Sequence, residues 1–182
     1  MKALYIRIKS FANHDGIHGH QGGSLPRDTS VGNILSAESP QDTAKRLGSN
    51  VPTEHLALVK HVDLVDRIES EGRDKDGQAI GDDKDVRILL TPKATSYIFA
   101  HEVGHVYLRG QNRQQVAKLV YDIQKTRLFR DVAKELGSKG KSSDPDYVAK
   151  EVFAFCYAEK YEGDSSKVLP IISDFIAGLH ND

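Results

Sequence analysis

The chain has 182 residues, 38% of them hydrophobic, enough for one domain with a sizeable core. A formal net charge of -1 argues against any general attraction to nucleic acid or to a membrane surface. Cys156 is the only cysteine, which excludes an internal disulfide and is compatible with a reducing compartment. Acidic residues dominate from Asp63 to Asp85 and basic ones from Arg109 to Lys141, and both runs read as solvated surface.

Met1 to Lys9 alternates like a strand and lacks the long apolar core of a secretory signal. No apolar run approaches membrane-spanning length, so neither membrane nor nucleic acid is an expected partner. Asn13 to Arg27 is rich in glycine and poor in apolar residues, which is the composition of a loop or linker. Its histidines His14, His18 and His20 read as solvated loop residues, with metal binding by a flexible chain as the other reading. The segment Gly22-Gly23-Ser24-Leu25-Pro26-Arg27 is similar to linkers of phage head-morphogenesis polyproteins, which implies a phage origin. The expected organisation is a strand and Gly/His-rich linker over 1–35, then one domain over 36–182. The expected location is cytoplasmic or associated with a phage virion.

Ser39-Pro40 starts a short helix that runs to Leu47 and stops at Gly48. Leu56 to Ile68 fits helical and strand spacing alike, with a strand favoured for His61 to Ile68. Val86 to Leu90 is its natural antiparallel partner, and the pair is expected to form the sheet edge beside the site described next. Between them, Asp74-Lys75-Asp76-Gly77 invites a calcium reading. An EF-hand register with Gly77 sixth puts Gly72 first and Asp83 twelfth, both wrong for the motif, so a solvated hairpin loop is expected.

Ser96 to Leu108 contains His101-Glu102-Val103-Gly104-His105, an H-E-x-x-H pattern. Residues four apart share a helical face, so the two imidazoles can take two corners of a tetrahedral Zn2+. Glu102 lies beside the first ligand and can serve as general base toward a water that the metal acidifies. Thr91-Pro92 reads as the N-terminal cap of this helix and Gly110 as its stop. An ordinary core helix is the plain alternative, but two histidines and a glutamate in a buried helix are costly without a role. Strand, short turn and H-E-x-x-H helix, in that order, resemble the zincin metallopeptidases.

Farther on, Val116, Val120, Ile123, Leu128, Phe129, Val132 and Leu136 have helical spacing, so one helix is expected from Arg113 to Leu136, ended by Gly137. Asp144-Pro145 repeats a cap-then-proline start and opens a helix through Ala158. Glu151 shares a largely apolar face with Tyr147, Val148, Ala154, Phe155 and Ala158, where a carboxylate is expensive unless paired. It is therefore the candidate third ligand, set against a plain surface glutamate at the helix flank. Glu159 is the alternative ligand, but its neighbours Lys160 and Glu162 suggest an exposed helix end. The last helix is expected from Ser165 to Leu179, with a later start because Pro170 lies in its first turns.

His101-Glu102-Val103-Gly104-His105, followed after a helix and polar connector by Glu151-Val152-Phe153-Ala154-Phe155-Cys156-Tyr157-Ala158, resembles the anthrax lethal factor-like gluzincins, which include the Pro-Pro endopeptidases. The resemblance covers Leu56 to the C-terminus in order of elements, with the two motifs as its specific part. It implies zinc held by His101, His105 and Glu151, with Glu102 as the base. The family also has an oxyanion-stabilising tyrosine about two turns before the third ligand, where this chain has Asp144. Tyr147, one turn before Glu151, is the nearest substitute, with Tyr107 and Tyr157 as fallbacks. The resulting expectation is an α+β, zincin-like fold: a small mixed or antiparallel sheet packed on the H-E-x-x-H helix, with a helical C-terminal half. The expected function is a zinc metallopeptidase whose protein or peptide substrate lies along Val86 to Leu90. The alternatives are a phage structural or interaction module with a zinc site kept for stability, and a toxin or effector protease.

Overall fold

The computed structural model describes residues 29–70, 73–81, 85–138 and 144–179. The strand expected over Met1 to Lys9, the Gly/His-rich run, and Gly72 and Asp83 lie outside the described residues.

The fold is mixed α+β. Strands β1 (Thr29–Val31), β2 (Ile34–Glu38), β3 (His61–Val65), β4 (Ile68–Ser70), β5 (Arg73–Lys75), β6 (Gly77–Ile80) and β7 (Arg87–Leu90) form two sheets. One is antiparallel, in the order β1-β4-β5, and the other is mixed, in the order β2-β3-β7-β6. Helices α1 (Pro40–Leu47) and α2 (Thr53–Leu56) lie between β2 and β3 in the chain. The C-terminal half is helical: α3 (Ser96–Arg109), α4 (Arg113–Gln124), α5 (Arg127–Ser138), α6 (Pro145–Glu162) and α7 (Pro170–Ile176). Among the described residues, no helix is long and apolar enough to cross a membrane.

Alternation along the strands divides the mixed sheet into two faces. Val62, Ala79, Ile88 and Leu90 belong to the main core, which includes Phe99 and Val103 of α3 and Val152 and Phe155 of α6. Val65 and Leu89 join Ile68, Val31 and Ile80 in a smaller cluster with the three-stranded sheet. Both α3 and α6 are buried along most of their length, so the pair forms the centre of the molecule.

Several expectations need correction. β3 and β7 are parallel, His61 opposite Arg87 through Leu64 opposite Leu90. The segment between them, read as a solvated hairpin loop, supplies β5 and β6, and Gly77 is buried. β6 runs antiparallel to β7, beyond a reversal that begins at Gly81. Gly81 has a φ of 103°, where a Cβ would also overlap the Asp85 carbonyl. That extra reversal sends β7 out in the direction of β3. β7 is consequently an interior strand, and among the described residues β6 is the edge, contrary to the expected edge at Val86 to Leu90. Ile34 of β2 pairs with Val65 of β3.

Helix ends follow local chemistry. Ser39 caps α1, Gly48 ends it at a φ of 65°, and Asp144 caps α6 ahead of Pro145, all as expected. Thr91-Pro92 is not the cap of α3: the Thr91 hydroxyl bonds Asp76 at 2.9 Å, and Thr95 accepts the Ile98 N–H instead. The single helix expected from Arg113 to Leu136 is two, because the Thr126 hydroxyl oxygen accepts the Phe129 N–H and restarts the chain as α5. Ser165–Lys167 is a 3-10 turn, and α7 begins at Pro170, whose missing N–H suits the first helical position.

Candidate metal centre

The close pairing of α3 and α6 starts at Gly104, inside the H-E-x-x-H pattern. A Cβ there would stand 2.9 Å from Tyr157 Cβ and 3.2 Å from Ala154 Cα, so only glycine permits this approach. With the helices so near, Glu151 of α6 faces the two histidines of α3.

The imidazoles of His101 and His105 bring their Nε2 atoms 3.1 Å apart. Glu151 reaches both, Oε2 at 3.7 Å from His101 Nε2 and Oε1 at 3.4 Å from His105 Nε2. Donors bound at about 2.0–2.1 Å to one tetrahedral ion lie roughly 3.4 Å from each other, which is the spacing seen here. All three residues are buried, and among the described residues Glu151 Oε1 makes no hydrogen bond beyond its approach to His105 Nε2, an expensive arrangement for a carboxylate unless a cation neutralises it. Burial alone would push the Glu151 carboxyl up, but the facing imidazoles outweigh it and hold the group well below the ordinary carboxylate range. Among the described residues, these three form a group able to hold a metal ion.

Glu102 is buried but stands outside the ligand group. Its Oε2 accepts the backbone N–H of Ala79 in the edge strand β6 at 2.7 Å. Sequence reasoning missed this contact, because Gly77-Gln78-Ala79-Ile80 lacks the β-branched alternation that marks a strand. The glycine was the available signal, since a lone glycine in a strand often marks close backbone approach.

Glu159, expected at an exposed helix end, is only 1% exposed. It accepts the Tyr97 hydroxyl at 3.0 Å and the Asp164 N–H at 2.7 Å, with Lys167 Nζ at 3.9 Å. These partners make Glu159 a tie between the end of α6 and the start of α3.

Tyr147 is buried in the first turn of α6, one turn before Glu151. Of the fallback donors, Tyr157 pairs its hydroxyl with His55 Nδ1 at 2.7 Å, and Tyr107 donates to the Ile176 carbonyl at 3.4 Å. Both phenols are held above their ordinary pKa by burial, within an aromatic cluster that includes His55.

Comparison with protein-family models, characterised proteins and solved structures finds no match to this chain.

Proposed function

We propose that the chain is a zinc-dependent metallopeptidase of zincin-like, gluzincin type. The observation that carries this reading is the convergence of His101, His105 and Glu151, with a non-ligand glutamate directly after the first histidine. Two imidazoles and one carboxylate are an N/O donor set suited to zinc, and three protein ligands leave a fourth position open, as catalytic sites require. A site kept for structure alone is ordinarily closed by four protein ligands and has no need of a buried base beside it.

When bound, zinc would polarise the scissile carbonyl and acidify the attacking water. Glu102 takes the proton from that water and returns it to the leaving amine. An extended peptide would lie beside the edge strand β6, pairing with outward backbone groups other than the Ala79 N–H that Glu102 already holds. Tyr147 is the proposed oxyanion donor, on the strength of its position one turn before Glu151.

The test is to incubate the zinc-loaded protein with a degenerate peptide library and read new termini by mass spectrometry. Cleavage that disappears with a chelator and returns with zinc is the expected result. An intact library at full zinc occupancy would remove the peptidase reading.

A further inference from the structure

Nothing in the H-E-x-x-H pattern says how the base is held, yet it must be fixed for proton transfer. A glutamate side chain has three rotatable bonds, and an unheld carboxylate spends much of its time out of position. Here two features of β6 restrain Glu102. The first is the Ala79 N–H, which donates to Oε2 at 2.7 Å between two buried residues. The second is Gly77, two residues earlier on the same face of the strand. A Cβ at Gly77 would stand 2.6 Å from Ile98 Cγ2 and 3.3 Å from Glu102 Cγ. Without a side chain at that position, β6 can lie against α3 closely enough for the Ala79 amide to reach the carboxylate.

The strand's place in the sheet explains why this amide can bond a side chain. Among the described residues, β6 is the last strand of the order β2-β3-β7-β6 and is paired on one side only. An outward N–H on an edge strand has no ladder partner, and burial makes an unmet donor costly. Glu102 satisfies it.

From these contacts we infer that the Ala79 peptide N–H is the positioning donor for Glu102, with Gly77 as the spacer that lets it reach. The inference rests on the peptidase reading for its catalytic consequence. Holding Oε2 fixes the carboxylate plane and leaves Oε1 to exchange the proton. Ala79 is a positioning residue, acting through Glu102.

The experiment replaces the Ala79 amide by an ester, using lactic acid at position 79, which deletes the N–H and keeps the side chain. Amide hydrogen exchange of the unsubstituted strand is measured in parallel for wild type, Glu102→Gln and Glu102→Ala. Charge-assisted bonds are worth about 1.5–3 kcal/mol, or roughly 10- to 100-fold in exchange protection. Ala79 should be protected in wild type, stay substantially protected with glutamine, which keeps an acceptor oxygen, and lose protection with alanine. On a fluorogenic peptide that wild type cleaves, the ester should lower kcat about 10- to 100-fold, with KM and zinc content unchanged. Gly77→Ala should lower kcat and Ala79 protection together, which covers the case in which the ester protein is poorly produced. Equal Ala79 exchange in wild type and Glu102→Ala would overturn the bond, and an ester or Gly77→Ala protein with wild-type kcat would overturn the positioning role. A wild-type protein that cleaves no peptide would instead overturn the peptidase reading, and the positioning role with it, even with the bond intact.

Discussion

Gly104→Ala perturbs the contact on which the whole site depends. Taken alone, a helix-interior Gly→Ala change is favourable by up to about 1 kcal/mol. Here the new methyl would lie 2.9 Å from Tyr157 Cβ, 3.0 Å from its Cγ and 3.2 Å from Ala154 Cα. Ordinary carbon contacts are about 3.5–4.0 Å, so α3 and α6 must separate by roughly 0.5 Å or more. Ala154 presents backbone, and Tyr157 is fully buried, so neither can swing aside. Overpacking of this kind costs about 1–3 kcal/mol, which leaves net destabilisation of roughly 0–2 kcal/mol after the propensity gain. The same separation draws Glu151 away from His101 and His105, now 3.7 and 3.4 Å distant, so metal affinity should fall about 10-fold or more. Urea unfolding of the metal-free protein gives the first quantity, and competition with a chromogenic chelator gives the second. A variant as stable as wild type with unchanged affinity would refute the argument that Gly104 sets the distance between the two helices.

Glu151→Ala should abolish stoichiometric zinc binding, whereas Glu159→Ala should keep zinc but lose about 1–3 kcal/mol of stability, because the Tyr97 hydroxyl and Asp164 N–H lose their acceptor; metal analysis and unfolding curves on both variants check this. Tyr147→Phe should lower turnover by ~10² to 10³ with zinc content unchanged, and wild-type turnover would move the oxyanion donor elsewhere. Burial pushes the Cys156 thiol up to about 12, so in the folded protein it stays protonated and should resist thiol reagents at pH 8 until denaturant is added. Rapid modification of the native protein would contradict that.

What was legible in the sequence was what local chemistry decides. The i, i+4 histidines, the Asp144-Pro145 start and the apolar face around Glu151 each depend on residues a turn or two apart, and the structure brings those side chains together. Strand pairing was not legible in the same way, because β3 and β7 could be joined in either sense until β6 was recognised between them. Glu159 was misjudged from its charged neighbours, yet on a helix Lys160 points about 100° away and says little about the face at 159. Its partners, Tyr97 and Asp164, come from another helix and from the turn beyond α6. The hold on Glu102 was hidden for a related reason: its donor is a main-chain N–H, which every residue but proline carries.

The most direct measurement is to compare zinc-loaded wild type with Glu102→Gln on the same peptide library. The variant keeps His101, His105 and Glu151 and should bind zinc and unfold like wild type. Wild type should generate new peptide termini, and the variant should do so ~10² to 10⁴ times more slowly, the usual worth of a general base. Equal cleavage by both proteins would contradict the assigned role of Glu102, and an untouched library in both would make His101, His105 and Glu151 a structural metal site.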